Sequence, residues 1–400
     1  MYKKVMISSI AITMAVVASL QIIKAQTPTF SDINGHWGQQ AILKAVEESY
    51  VDGYPDGTFK PDNTVSRAEF ITMLTKALKL KTGEEGAAWY SKYTNAAVEA
   101  GIHRYEEFSQ DINDAITRQE MMRLIVRATR PDLQHPEVVE ITDKAVVYQA
   151  VKAGLIQGLD RGTLGLAQAT TRAQAMTVVD RVLQTNRGEG DKLEVDKYAL
   201  NQAEIELKGT NLFSMIPVFA KGVQAASYSW SPDKLVLETK DGLFKGQIDQ
   251  VIAIDMADPN DPNRDLLGDI DELHWFNTEV RGITQSQMPL IKDYPDSYVI
   301  LVKSHVDYIN DTTAYSENGR VGFSIYGFAS PNKEALKNGE LNTLATVFKT
   351  KRGDTQAMIL PKTGFAVPKK DISFAIDAPA RPPVSNSTRT IVSMYVPDGK

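Results

Sequence analysis

Along the first half of the chain, apolar residues recur at helical spacing. Ile42, Ala45 and Val46 share one helical face, and Phe70, Met73, Leu74, Ala77 and Leu78 form a second stripe. Between them Gly53-Tyr54-Pro55-Asp56-Gly57 reads as a turn, because proline sets its first corner and glycine accepts a positive dihedral. Beyond Leu183 the pattern changes. Glu204 to Lys208, Lys234 to Glu238, Gln250 to Met256, Ser297 to Val306, Arg320 to Phe328, Ala345 to Lys349, Ala357 to Leu360 and Thr390 to Tyr395 read as strands separated by turn residues. The pattern predicts an α+β multidomain chain whose β-rich part, residues 197–400, is a sandwich-like or barrel-like domain. A polar, glycine-containing linker at residues 187–196 separates the two parts.

The helical half repeats itself. Ser66-Arg67-Ala68-Glu69, Thr117-Arg118-Gln119-Glu120 and Thr171-Arg172-Ala173-Gln174 are three versions of one phrase, with arginines 51 and 54 residues apart. Each places a hydroxyl three residues before an acid or amide, a capping box that opens a helix. Aligned on the arginines, Gly53, Gly57 and Thr58 fall on Gly158, Gly162 and Thr163, and Trp37 matches Trp89 in its spacing to the next Ala-Val pair. The second unit lacks the glycine pair. A period near fifty predicts three stacked supersecondary units, at about residues 28–80, 86–130 and 138–186.

Each arginine therefore opens a helix, where a cation opposes the macrodipole at a cost of about 0.3 to 1 kcal/mol. Two readings explain the repeated choice. Either guanidinium and helix N–H groups receive an anion, or each arginine pairs with an acid of a neighbouring unit and locks the units together.

These residues resemble a known family. Phe30-Ser31-Asp32, His36-Trp37, the Gly53 to Gly57 loop with Thr58-Phe59, Pro61 and Ser66-Arg67-Ala68-Glu69 are similar to the S-layer homology module of bacterial cell-surface proteins. The first unit is a near-complete match and the later two are diverged. The resemblance implies an all-α, pseudo-threefold domain whose grooves bind anionic, pyruvylated secondary cell wall polysaccharide. Carried over by motif, Arg67, Arg118 and Arg172 would contact the acid, while Asp32, Trp37, Gly53 and Gly57 would shape the first groove. The third unit has Thr142 where the others have tryptophan, and neither later unit has a clear counterpart of Asp32. For Trp37 and Trp89 the competing reading is a core tryptophan that seals the start of a helix.

Composition narrows the class. At 400 residues with no cysteine, the chain must hold together through its cores without disulfides. Lys3 and Lys4, the acid-free apolar run Val5 to Ile23 and Lys24-Ala25 read as a signal peptide over residues 1–25, the alternative for so long a run being an uncleaved N-terminal anchor. Its removal takes away three lysines and no acid, so the formal charge moves from −6 to −6 − 3 = −9. Such a chain has no general attraction for nucleic acid or an anionic bilayer. The expectation is a secreted protein of the cell wall or surface, without cofactor or metal and with no membrane contact once processed.

The second half matches no catalytic motif. It has no Gly-x-Ser-x-Gly elbow and no phosphate loop, and His274 and His305 lack metal-ligand spacing. The run from Asp255 to Glu272 lacks the EF-hand order and reads as a solvated acidic loop. Leu273-His274-Trp275-Phe276 is either a carbohydrate-contacting patch or, more simply, a buried strand. The chain is read as a non-enzymatic anchor that displays a β-rich domain. The alternatives are a wall-attached enzyme acting on polysaccharide, with its site in the second half, or a structural, adhesive surface protein that self-associates.

Overall fold

The computed structural model describes residues 30–135, 141–276, 288–317, 319–350, 354–384 and 387–397. The signal segment lies outside them. Among the described residues no helix is long and apolar enough to cross a membrane.

Each repeat unit contributes two helices. They are α1 (Gln39–Glu47) with α2 (Arg67–Ala77), α3 (Ser91–Glu99) with α4 (Arg118–Thr129), and α5 (Asp143–Lys152) with α6 (Arg172–Gln184). Ser66, Thr117 and Thr171 cap α2, α4 and α6 with both halves of the capping box in place. The extended residue before each cap is shared between units. Val65 N–H donates to Thr170 O at 3.0 Å, Thr170 N–H to Ile116 O at 2.9 Å, and Ile116 N–H to Val65 O at 2.9 Å. These three bonds close a ring. Around it one continuous apolar core gathers the stripes of all six helices, among them Ile42, Phe70, Leu74, Leu124, Val147 and Val179.

The seventh helix corrects an expectation. Glu204 to Lys208 is not a strand but the end of α7 (Lys197–Lys208). Asp196 caps its start, and Gly209, at φ 70°, ends it in the left-handed region that glycine adopts without a Cβ penalty. Five alternating residues are too short a window to separate the two periods when Ala199, Ala203 and Ile205 upstream complete a helical stripe. Ala199 and Ala203 enter the helical core, whereas Ile205 enters a core of the β half. Asp196 also accepts from Gly158 N–H at 3.0 Å, so residues 193–199 brace the loop of the third repeat.

The β half consists of two antiparallel sheets, and neither closes into a barrel. Its strands are β1 (Val223–Gln224), β2 (Val236–Glu238), β3 (Phe244–Asp255), β4 (His274–Phe276), β5 (Ser297–Ile309), β6 (Gly322–Tyr326), β7 (Ala345–Phe348), β8 (Ala357–Pro361), β9 (Asp371–Asp377) and β10 (Thr388–Tyr395). One sheet runs β1-β10-β9-β6 and the other β2-β3-β5-β8-β7-β4. The larger sheet is covered on both faces. Val251, Ala253 and Ile300 face the smaller sheet, while Ile252, Ile254 and Val299 pack with Trp275 and Ile205 on the opposite side. Double coverage explains why β3 and β5 carry unbroken apolar runs.

The acidic stretch is not simply solvated. Asp261 is 2% exposed, and burial raises its carboxyl above the usual range. It accepts from Asp255 N–H and Asn263 N–H. Asp258 receives Lys197 and Tyr198, and Asp265 receives Arg161, tying the stretch to α7 and the third repeat. Trp275, at 3% exposure, packs edge-on against Tyr294, which removes it from any sugar-stacking surface.

A chain ending at residue 190 loses Asp196, Ala199 and Ala203 from the helical core and its loop. Residues 26–209 are expected to melt higher than residues 26–190 by circular dichroism. At about 2 to 4 °C per kcal/mol for this size the gap should be readily measured, and equal melting temperatures would refute the brace.

Candidate functional site

The three motif arginines are buried at 2%, 4% and 6% exposure. Their helices start against carbonyls of the next unit, so the first-turn N–H groups are already taken. Arg67, Arg118 and Arg172 N–H donate to Asp114, Gln168 and Asn63 O at 3.0, 2.9 and 2.8 Å. The side chains follow the same circuit. Arg67 donates to Glu120 Oε1 at 2.9 Å and to Asp111 O. Arg118 donates to Leu164 O at 2.9 Å and Gln157 O at 2.8 Å, and Arg172 to Phe59 O at 2.9 Å and Asp52 O at 3.1 Å. Each guanidinium thus holds the loop of the following unit, with the first reaching the second, the second the third and the third the first.

The other motif residues build the first loop. Asp32 accepts from Phe59 N–H at 2.9 Å and Lys60 N–H at 2.7 Å. Burial raises its carboxyl, but these bonds prevail and hold it below the usual range. A Cβ on Gly53 would lie 2.0 Å from the Phe30 ring, and Gly57 sits at φ 79°. His36 Nδ1 accepts from Gly38 N–H and so ends the approach to α1. Trp37 and Trp89 are not core residues: they are 63% and 55% exposed.

Arg118 also meets open space. Arg118 lines a cavity of about 330 Å³ together with Trp37 of the first unit and Gln157, Leu159, Gln174 and Arg181 of the third. Sequence reasoning missed Arg181. A cation stands nine residues after each motif arginine, as Lys76, Arg127 and Arg181, and that regularity was the available signal. The three have different surroundings. Lys76 Nζ lies over the Tyr93 ring, and Arg127 bonds Glu107 Oε1 at 2.7 Å. Among the described residues Arg181 has no ion-pair partner, and burial lowers its pKa despite the nearby acids Glu194 and Asp180. A partly desolvated cation facing a cavity beside an exposed indole suits a small carboxylate fixed to a ring with an apolar face.

In the second unit the equivalent cation is paired from within. His103, Glu107 and Arg127 form a buried cluster, with His103 Nδ1 3.1 Å from Glu107 Oε2. Burial would raise the Glu107 carboxyl, yet the His103 bond and the charge and bond of Arg127 hold it below the usual glutamate range. This cluster occupies the loop that lost the glycine pair.

Residues 29–71 match the family model of the S-layer homology domain, so the first unit is such a domain. Exoglucanase XynX of Acetivibrio thermocellus is 31% identical over 176 residues, covering 39% of this chain and 16% of that protein. The cellulosome-anchoring protein of the same organism is 35% identical over 143 residues, covering 32% of each chain. The S-layer protein sap of Bacillus anthracis is 29% identical over 140 residues, covering 33% of this chain and 17% of that protein. The alignments thus span about a third or less of these relatives.

Two outcomes follow from the buried ion pairs. Arg67→Ala is expected to destabilise the chain by about 3 to 5 kcal/mol, because it strands Glu120, read as a lower urea midpoint. Glu107→Gln should cost a similar amount at neutral pH. The folded Glu107 pKa lies below the unfolded value of about 4.3, so its contribution is complete above that pH and fades as pH falls through the folded pKa. Melting temperatures measured from pH 7 to pH 2.5 should therefore fall more steeply in the parent than in Glu107→Gln, and parallel curves would contradict the assignment.

Proposed function

We propose that this protein attaches to the bacterial cell wall by binding an anionic, pyruvylated secondary cell wall polysaccharide, and thereby holds its β-rich domain at the cell surface. The reading has two supports. The first unit is an S-layer homology domain, and partial relatives are named as S-layer and cellulosome-anchoring proteins. The observation that carries it is the cavity where Trp37 and Arg181 meet with Arg118 behind them.

On this reading the three repeats make one pseudo-threefold S-layer homology domain. Arg181 is the primary contact for the ligand carboxylate, Arg118 adds positive potential from the floor, and Trp37 offers its indole to the sugar ring. Arg67 and Arg172 act through the loops they hold, as do Asp32, Gly53 and Gly57. Binding is concentrated at the cavity between the first and third units, because the second unit spends its equivalent cation on Glu107.

A charge-assisted contact is worth about 1.5 to 3 kcal/mol, or roughly ten- to a hundredfold in affinity. Arg181→Gln and Trp37→Ala should each weaken co-sedimentation of the full chain with purified Gram-positive walls by about that factor, with melting temperatures near the parent value. Chemical removal of the secondary polymer should abolish parent binding. Undiminished binding by the double variant, or binding that survives removal of the polymer, would overturn the reading.

A further inference from the structure

A second recess lies in the β half, far in sequence from the repeats. It measures about 390 Å³ and is lined by four consecutive residues of β6, Phe323 to Tyr326. Side chains along a strand alternate between faces, so a cavity over one face meets every second residue. Four in succession place this cavity beside the strand, along its edge. Among the described residues that edge is free, because β6 ends its sheet and pairs there only with β9. Its floor is a row across the other sheet, where Phe276 pairs with Thr346 and Thr346 with Met358. Gln356 closes one end, donating to Val321 O and accepting from Ser304 Oγ.

The chemistry of the lining selects the occupant. Edge strands are usually guarded by lysine, proline, a bulge or a covering segment. Gly322 to Tyr326 contains neither lysine nor proline and pairs with β9 in unbroken register. Of the thirteen lining residues none is aspartate, glutamate, lysine, arginine or histidine, although a quarter of the chain is charged. A charged ligand would be desolvated there without a counter-ion. The free edge presents alternating N–H and C=O groups over five residues, about 17 Å at strand rise. Another polypeptide backbone matches that repeat, with alternate side chains directed at the apolar floor.

We propose that this slot binds an uncharged, extended peptide segment, which adds as a strand to the free edge of β6 and sets alternate side chains on Phe276, Thr346 and Met358. The site is independent of the wall-binding cavity. Its occupant would give the β half a protein partner once the chain is in place.

The test uses the full chain and a fluorescein-labelled, capped heptapeptide of alternating threonine and valine, followed by anisotropy. Saturable binding is expected, with at least a tenfold loss in Thr346→Lys at an unchanged melting temperature. Only alternate N–H groups of an added strand face its neighbour. N-methylation at odd or at even positions should therefore affect binding unequally, one pattern abolishing it and the other sparing it. The proposal is overturned if the parent peptide fails to bind at millimolar concentration, or if both methylation patterns act alike. It is also overturned if cellobiose alone saturates the slot, or if a dimer of this chain, abolished by Thr346→Lys, takes the place of peptide binding.

Discussion

The helical half depends on the closed ring of backbone hydrogen bonds through Val65, Thr170 and Ile116. None of the three repeats can satisfy its own chain at this point. Each passes one N–H to a neighbour and receives one in return, and the N–H groups that open α2, α4 and α6 continue the same exchange. Buried peptide groups left unpaired cost as much as lost hydrogen bonds, so the units are obliged to associate in this order. The apolar stripes then close over the ring from outside.

The arginines follow from that arrangement. A cation at a helix start meets the positive end of the dipole, an unfavourable choice when nothing offsets it. Here the guanidinium extends away from its own helix to the loop of the next unit, where carbonyl oxygens of Asp111, Leu164 and Phe59 accept its fork. Glu120 serves two units at once. Its Oε2 accepts from Thr117 N–H within its own capping box, while Oε1 takes Arg67. The capping box and the inter-unit lock are one device. The locking positions are thus occupied from within, and the cation nine residues further along lies over the Tyr93 ring in the first unit, bonds Glu107 in the second and faces a cavity in the third.

The β half is joined to this frame by a helix that belongs to both. α7 gives alanines to the helical core and Ile205 to the sheet, and its Asn201 accepts from Asn211 and Asn263 in a buried polar knot. Such a knot fixes geometry, since each amide must keep its partners in a low-dielectric interior. The acidic run turns inward for the same reason, with Asp261 holding the backbone of its own loop. Surface charge remains on Asp258 and Asp265, where cations of α7 and the third repeat meet it.

Caps, turns and helical stripes were legible in the sequence because each is written in contiguous residues. Ser66 with Glu69, the Gly53 to Gly57 turn and the Phe70 to Leu78 stripe carry their own physical reasons. So does the S-layer homology segment, whose motif lies within about forty residues. The strand-like reading of Glu204 to Lys208 failed where a local period was ambiguous and Ala199 and Ala203 decided it. By itself the sequence determined that three like units exist, where their second helices begin, and that strands follow them. Tertiary structure alone decided whether an arginine reaches a neighbouring unit, whether Trp37 is covered, and which strand edge stays unpaired among the described residues. Those outcomes rest on partners as distant as Arg172 and Asp52, and a chain does not display such pairings until it has folded.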